Sequence, residues 1–585
     1  MILSQFLKDK ISDLAQDVFS LDSDARQLLQ KHMTLEKPAN KSFGDFATNV
    51  AMLLSKHLCQ NPRALATQLV EKLQQADCFE SVEIAGPGFI NMRLTSKVWD
   101  EAFAEIFVQK DAFGSSDIGG GQKINVEFLS ANPTGPLHVG HSRAAIFGDA
   151  VARLLSKIGY DVSKEYYVND FGKQVDVLAE SVYWRYEELF GRHQGEKIPE
   201  GRYPGDYVIP VAQSIKDTDG DKWLDTTDWL EYFKTKSIEQ MLKLIQSDAA
   251  KLGIKFDVFS SEKALVEQGA VDKTVQKMFD MNLLYKGVLP KPKGEETEDW
   301  APVEQTLFKS SEFGDDGDRV ILRADGSKTY FTSDIAYHVD KFNRGFTQMV
   351  DIFGADHGGY VKRLKASVKA LTDDKATLDI ALCQVVSLQK DGKPFRMSKR
   401  AGNFVLVDDI LDEIDADAFR LFMLTKSADS QMSFDLAKTK EQSKDNPVFY
   451  IQYASARTYS VLNTFEKTFG HAVGEADLDK NLYQDANDTE RELIQKMLGL
   501  TRIVEVSAQN KAPHLLAGYL YDIAGLFHSV WTLGAKSGHR FVDANDMSKT
   551  RKNLALVLAV QQVLKNGLMT LGITPKTEMA REEAE

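Results

Sequence analysis

A chain of 585 residues exceeds what one hydrophobic core organises and should hold several domains. With 43% hydrophobic and 27% charged residues it reads as soluble and globular. A net charge of −14 speaks against simple coating of nucleic acid, although a local groove can be positive on an acidic chain.

The first residues are not an export signal. Lys8, Asp9, Lys10 and Asp13 interrupt the apolar positions Leu3, Phe6, Leu7, Ile11 and Leu14, which fits an amphipathic helix. No apolar run is long enough to span a membrane. Cys59, Cys78 and Cys383 are far apart and form no metal-like pair. Neither disulfides nor structural zinc are expected, and a reducing cytoplasm is.

In chain order, residues 1–112 read as an α/β module. Helical stretches at Ile2–Phe19 and Ala64–Leu73 surround the segment Phe43–Asn49. Val82 to Arg93 reads as strand, turn and strand, with Gly86 and Gly88 in the hairpin turn; phosphate cradling there is the weaker alternative, because no helix follows closely. Gly114–Gly121 reads as a flexible connection. A strand at Ile124–Leu129, a turn at Asn132–Pro136 and a helix running to Leu155 follow, then a strand at Asp161–Val168 and a helix at Gly172–Leu189. Gly191–Asp225 resembles a polar surface insertion. A helix at Trp229–Leu252 and a strand at Phe256–Ser260 come next, and Gly287–Asp299 is polar again. Thr306–Lys309, Arg319–Arg323 and Lys328–Thr332 read as short strands, with Ala324–Ser327 as a hairpin turn. Strand Met349–Phe353, helix Tyr360–Leu371 and strand Ile380–Leu388 resume the β-α-β rhythm of a parallel sheet. From residue 416 onward the pattern is helical, at Ala418–Lys426, Asn446–Phe465, Asn487–Asn510, Ala512–Leu533 and Thr550–Leu571, which predicts an all-α bundle.

Two stretches carry chemistry. In His138-Val139-Gly140-His141 two histidines flank a glycine where a helix begins, and a helix start offers free N–H groups to an anion such as phosphate. The plain alternative is that one histidine only caps the helix. The second stretch is Lys393-Pro394-Phe395-Arg396-Met397-Ser398-Lys399-Arg400, four cations on a short loop. On charge alone it would be a solvated basic loop; the order Met-Ser-Lys says otherwise.

Together, in this order, the two stretches resemble the paired HIGH and KMSKS signatures of class I aminoacyl-tRNA synthetases. The wider wording resembles arginyl-tRNA synthetases: Asn132-Pro133-Thr134-Gly135-Pro136-Leu137 before the first signature, Thr329-Tyr330-Phe331-Thr332-Ser333-Asp334, Gly354-Ala355-Asp356-His357, and Asn446-Pro447-Val448-Phe449-Tyr450-Ile451-Gln452-Tyr453. Gly44-Asp45-Phe46-Ala47 and Gly86-Pro87-Gly88-Phe89 fit that family's extra N-terminal domain, and Asp417-Ala418-Phe419-Arg420 fits its anticodon-binding signature with Phe419 for leucine.

The resemblance implies a multidomain α/β protein. Residues 1–112 would be an N-terminal tRNA-binding domain, 113–415 a Rossmann-like catalytic domain with insertions, and 416–585 a helical anticodon-binding domain. It implies arginine–tRNA ligase activity: ATP with Mg²⁺ and L-arginine give arginyl-adenylate, and arginine passes to the terminal ribose of tRNA(Arg). His138, His141 and Lys399 would be catalytic, with Gly140, Asp356, His357, Met397 and Ser398 also at the ATP. Gly140, lacking a side chain, would let the adenine approach the backbone. Arg396 and Arg400 depart from the commonest form of the second signature but leave Lys399 in place. Tyr330 and Asp334 would hold the guanidinium, whose planar donors suit a fixed carboxylate. Asp334 as a plain helix cap is the alternative. Glu127, Ser130, Asn132 and His141 would meet the ammonium and carboxylate; the alternative for Glu127, inside a strand, is that it only pairs with a neighbour. Tyr450, Gln452, Tyr453 and Arg457 would clamp unpaired bases, unless the aromatic stripe is core. The enzyme would be a cytoplasmic monomer without zinc and without a membrane partner. Cysteinyl-tRNA synthetase shares both signatures but needs zinc ligands that three scattered cysteines do not supply. A non-catalytic tRNA-binding paralogue is the rival from another class, against which His138, His141 and Lys399 weigh.

Overall fold

The computed structural model describes residues 3–38, 40–290, 302–390, 393–395, 405–536 and 540–579. The chain begins with helices α1 (Leu3–Phe19) and α2 (Ser23–His32) and strands β1 (Leu35–Glu36) and β2 (Phe46–Thr48). Helices α3 (Val50–His57) and α4 (Pro62–Leu73), strands β3 (Phe79–Ala85) and β4 (Phe89–Leu94) and helix α5 (Ser96–Gln109) follow. The four strands form one sheet in the order β1-β2-β4-β3. β3 and β4 pair antiparallel, so Gly86 and Gly88, both at positive φ, sit in the expected hairpin turn.

The segment after α5 is less free than its glycines suggest. The N–H groups of Gly119 and Gly121 donate to the carbonyls of Ile158 and Gly159, both at 2.8 Å. A Cβ on Gly119 would lie 2.6 Å from the carbonyl carbon of Gly159. Gly114–Gly121 is thus a packed joint, and glycine is needed there for close approach rather than for flexibility.

The central layer is built from β5 (Lys123–Glu127), α6 (Val139–Lys157), β6 (Asp161–Val168), α7 (Lys173–Glu188), α8 (Ile209–Asp219), α9 (Trp229–Lys251) and β7 (Val258–Ser261). Next come α10 (Glu262–Glu267), α11 (Ala270–Asp280), β8 (Leu284–Gly287), β9 (Gln305–Phe308) and β10 (Arg319–Leu322). Helix α12 (Tyr330–Asn343), β11 (Gln348–Gly354), α13 (Val361–Leu371) and β12 (Thr377–Cys383) complete it. Five strands pair in parallel in the order β12-β11-β5-β6-β7. From β5 the chain first moves outward to β6 and β7, and only later returns to β11 on the other side. The switch point therefore lies between β5 and β11, and ligands of such sheets bind outside the carboxyl ends of the strands there.

Gly191–Asp225, read as a polar surface insertion, carries helix α8, whose Val211, Ala212 and Ile215 pack with Val208, Tyr186 and Phe233 into a core of their own. Two expectations fail in this region, each for a local reason. Lys328–Thr332 is not a strand. After one bridge between Leu322 and Lys328 the chain enters α12, because Phe331, Ile335 and Val339 bury one helical face. Ile380–Leu388 is not one strand. The chain leaves the parallel sheet at Gln384, whose N–H donates to the Ala428 carbonyl at 2.8 Å, and restarts as β13 (Val386–Lys390) in another sheet.

That second sheet holds β14 (Lys393–Phe395), antiparallel to β13, and β15 (Met432–Asp435), parallel to it. Between them lie α14 (Val407–Leu411) and α15 (Ala416–Met423). The rest is helical: α16 (Leu436–Lys440), α17 (Pro447–Phe469), α18 (Asp488–Met497), α19 (Leu500–Gln509), α20 (Pro513–Lys536) and α21 (Met547–Thr570). The single helix expected over Asn487–Asn510 is two, broken at Leu498 and Gly499. Among the described residues no helix is long and apolar enough to cross a membrane.

Candidate active site

The turn after β5 lies at the switch point. Leu129 and Ser130 both adopt positive φ, 71° and 33°. A β-strand cannot continue through that conformation, so the chain is turned out of the sheet at its carboxyl edge. The Tyr166 hydroxyl donates to the Ala131 carbonyl at 2.6 Å and fixes the turn from below. Ser130 Oγ accepts the Tyr167 N–H at 3.1 Å and donates to Glu127 Oε1 at 2.9 Å. Asn132 is exposed, and its amide nitrogen donates to Gln174 Oε1 at 2.8 Å.

His138 is the N-cap of α6. Its Nδ1 accepts the Gly140 N–H at 3.1 Å, and the two imidazoles of His138 and His141 stack with centroids 3.7 Å apart. The helix start does not offer its N–H groups freely, contrary to the expectation of a backbone phosphate cradle. Val139 N–H donates to the Val405 carbonyl at 3.1 Å, and His141 N–H to the His138 carbonyl at 2.8 Å. What the turn presents is side chains. The capping role and the stacked pair coexist.

Met397, Ser398 and Lys399, with Arg396 and Arg400, lie outside the described residues. The chain on either side of them is tied to the first signature. Val405 accepts from Val139, Leu406 bridges to His138, and Val407 N–H donates to the Leu137 carbonyl at 3.1 Å. Upstream, the buried Arg143 of α6 donates to the carbonyls of Gln384, Ser427 and Ser430 at 3.0, 2.7 and 2.7 Å. Gln384 precedes β13, and Ser427 and Ser430 precede β15.

Asp334 lies in the second turn of α12, after the N-cap Thr329, and so is not a helix cap. Its carboxylate accepts the Tyr360 hydroxyl. Burial pushes its carboxyl up to about 6, the tyrosine opposing and the charges of Glu127 and Asp351 adding to the rise. Tyr330, one turn earlier, is 79% exposed. It lines a cavity of about 270 Å³ together with Ser333, Phe171 and Glu262. Glu262 was not singled out from the sequence. It sits at the first position of α10, where an acidic residue reads as an ordinary complement to the helix dipole. It is 8% exposed and, among the described residues, has no hydrogen bond or ion pair. Burial pushes its carboxyl up to about 7, and the charges of Asp334 and Asp170 add to that. The buried Tyr167 hydroxyl also lacks a partner.

Glu127 is buried, and Lys341 Nζ donates to its Oε2 at 2.7 Å and to Asp351 Oδ1 at 3.0 Å. The structure thus realises the pairing with a neighbour, leaving Glu127 Oε1 on the side of Ser130. Glu127, His338 and Asp351 would suit a metal ion, their donor atoms lying within 4.8 Å of one another. The Lys341 ammonium already supplies the cation there. Asp356 and His357 are exposed in the turn after β11, at the same edge of the sheet.

In the helical region Tyr450, Tyr453 and Arg457 share one face of α17. The Arg457 guanidinium lies 4.4 Å from the Tyr453 ring centroid and 4.8 Å from that of Trp531, and donates to His528 Nδ1 at 2.9 Å. Gln452 points the other way. It is 3% exposed, its Nε2 donating to the Thr574 carbonyl at 3.2 Å and its Oε1 accepting the Lys576 N–H at 2.8 Å. It anchors the C-terminal tail and presents nothing to a base, which corrects its assignment as a base contact.

Comparison with known proteins agrees with this layout. Residues 3–94 match the arginyl tRNA synthetase N terminal domain, residues 103–194 and 227–446 the tRNA synthetases class I (R) catalytic domain, and residues 451–579 the DALR anticodon binding domain. Arginine–tRNA ligase of Ruegeria pomeroyi is 46% identical over 555 residues, covering 94% of each chain. The protein of the same name from Cereibacter sphaeroides is 48% identical over 554 residues, again 94% of each. Thermus thermophilus arginyl-tRNA synthetase shares the fold, with a TM-score of 0.72 over 98% of this chain and all of that one at 20% identity. A parallel sheet whose switch point carries the His138–His141 turn, matched across nearly its whole length by such relatives, makes this chain a member of the arginyl-tRNA synthetase family of class I.

Proposed function

We propose that the protein is a cytoplasmic, monomeric arginine–tRNA ligase. It activates L-arginine with ATP, which brings Mg²⁺ on its phosphates, and passes arginine to the terminal adenosine of tRNA(Arg). Family membership implies attack by the ribose 2′-OH and a need for tRNA in the activation step. Its working divisions are residues 1–112 for tRNA docking, 113–415 for catalysis and 416–585 for the anticodon.

One observation carries the assignment of arginine as substrate. Glu262, a buried carboxylate without a partner among the described residues, shares a cavity with Tyr330 and Ser333 on the helix that bears Asp334. An unpaired buried carboxylate is costly, and a guanidinium with five donors in one plane relieves that cost. Asp334 and Glu262 hold the guanidinium between them, with Tyr330 closing over it. Glu127 Oε1, Ser130 and Asn132 face the amino acid's ammonium and carboxylate.

On the nucleotide side, transfer to the α-phosphate needs positioning and charge stabilisation rather than a protein nucleophile. His138 and His141 hold ATP beside Gly140, with Asp356, His357, Met397 and Ser398 around it. Lys399 meets the charge that develops on the departing pyrophosphate. The ties of Val405 and Leu406 to Val139 and His138 support that role, because Lys399 precedes Val405 by only a short stretch of chain.

The deciding experiment incubates the protein with ATP, each amino acid in turn and total tRNA. Arginine-dependent charging is expected. Cysteine-dependent charging, or tRNA binding with no charging, overturns the proposal. In the same assay Lys399→Ala should lower turnover by a factor on the order of 10²–10³; wild-type adenylation by that variant removes Lys399 from the reaction.

A further inference from the structure

Asp351 on β11, Glu127 on β5 and Glu165 on β6 stand side by side in one register row of the parallel sheet. Neighbouring strands are about 4.8 Å apart, so three buried carboxylates on one face repel one another unless cations intervene. Lys341 of helix α12 and its C-cap Arg344 supply them, and the spacing of three residues keeps His338, Lys341 and Arg344 on one side of the helix.

Arg344 donates to both oxygens of Glu165, at 2.7 and 2.9 Å. Lys341 joins Glu127 to Asp351. His338 Nε2 meets Asp351 Oδ2 at 2.8 Å, and its Nδ1 meets the Asp334 carbonyl at 2.7 Å. Both ring nitrogens thus face oxygen atoms, and the ring bridges β11 to the backbone of α12.

The three carboxylates are not equally committed. Glu165 also accepts from Asn125, Ser260 and Tyr337. Asp351 has Lys341 on one oxygen and His338 on the other and is fully enclosed. Glu127 has Ser130 on one oxygen and Lys341 on the other, and its side chain alone of the three keeps some exposure, 7% against 0% for the others. Glu127 is therefore the carboxylate of this row that stays partly accessible, with Oε1 beside the Ser130–Asn132 turn.

We propose that Lys341 is a positioning residue for the substrate's α-ammonium group. Wedged between Glu127 and Asp351, its buried ammonium opposes the rise that burial imposes on the Glu127 carboxyl and fixes which oxygen faces the pocket. This rests on the reading of Glu127 as an arginine ligand. Without Lys341, burial and the Asp351 charge both push the Glu127 carboxyl up, and a neutral carboxyl holds an ammonium poorly.

The test compares two ligands of the full-length protein: L-arginine, and 5-guanidinopentanoate, which is arginine without its α-ammonium. Lys341→Met should weaken L-arginine about 10- to 100-fold and change 5-guanidinopentanoate by less than about twofold. Equal loss of both marks a general structural role and overturns the proposal, as does loss of neither. Glu127→Gln separates the underlying reading. If it leaves L-arginine unchanged, Glu127 is not a ligand. If it is selective while Lys341→Met is not, only the role of Lys341 fails. Should Lys341→Met not fold, Lys341→Gln keeps a donor to Glu127 without the charge. Selective loss in that variant supports the proposal, and parallel loss or no loss overturns it.

Discussion

Asp149 on α6 and Glu262 on α10 are both carboxylates taken out of water, and they have opposite fates. Asp149 is fully buried, with Arg420 and Arg153 on one oxygen at 2.7 Å each and Lys164 on the other at 2.8 Å. Burial alone would raise its carboxyl, but the three cations outweigh that and hold it below the usual range. Arg420 also donates to the carbonyls of Leu252 and Leu571, both at 2.8 Å, so the charge cluster pins the helical C-terminal region to the helix that begins at His138. Glu262 has none of this and is pushed up to about 7. A buried charge surrounded by its own cations is a joint; one left without them is, on the proposed function, half of a binding site.

The largest effect should come from breaking the joint. Asp149→Asn strands the buried Arg420 and leaves the partly exposed Arg153 and Lys164 without their carboxylate, and removing one partner of a buried ionic cluster costs about 3–5 kcal/mol. Urea denaturation should show that loss in the transition of the catalytic region, with the affinity of the folded fraction for arginine unchanged. An unfolding midpoint equal to that of the parent protein would abolish the distinction between the two carboxylates.

Glu262→Gln should act in the opposite sense. The folded carboxyl titrates near 7 against 4.5 unfolded, so the stability it contributes is full below pH 4.5 and is lost as pH rises toward 7. The ligand-free glutamine variant should therefore be more stable than the parent above pH 7, by on the order of 2–3 kcal/mol, and equal to it below about pH 4.5. Thermal unfolding across that range checks the sign. The same variant should bind arginine about 10- to 100-fold more weakly at pH 8, since one charge-assisted pair is gone. A variant that is both less stable and unaltered in arginine binding places Glu262 among the joints.

These two carboxylates also explain what could be read from the sequence. The parallel sheet was legible because β5 and β11 are buried on both faces and read as largely apolar runs. His138 and His141 were legible because a glycine and a turn frame them. Asp149, Arg420, Lys341 and Glu262 were not singled out for such roles. Asp149, Arg420 and Lys341 lie inside helices and Glu262 at the start of one, where a charge looks solvated until its neighbours are known. Arg420 and Asp149 meet across 271 positions of sequence and Lys341 and Glu127 across 214; no local periodicity encodes such pairs. The spacing of His338, Lys341 and Arg344 on one face of a helix otherwise buried at Phe331 and Ile335 was the one visible hint. Gln452 misled for the converse reason, since it shares a helix with Tyr453 and Arg457 but its side chain is spent on Thr574 and Lys576.

That contrast within α17 sets the smallest effect. Arg457 is a third kind of charge, held over aromatic rings at a half-exposed surface rather than by carboxylates. Its guanidinium is a donor only, so His528 Nδ1 must accept while Nε2 donates to the Tyr450 carbonyl at 3.2 Å. The imidazole is thereby neutral, with burial and Arg457 together bringing its titration down to about 4. The cation is left to the arginine, and on the proposed anticodon role it forms with Tyr453 the platform for an unpaired base. Arg457→Met should weaken tRNA about three- to tenfold, the scale of one stacking and cation–π contact, with arginine binding untouched. Gln452→Ala should do the reverse of this, lowering the melting temperature while leaving tRNA affinity as it was. Filter binding of tRNA to both variants distinguishes a base-contacting face from a helix that only packs. Equal losses for Arg457→Met and Gln452→Ala would mean that the aromatic cluster, like Asp149, serves the fold alone.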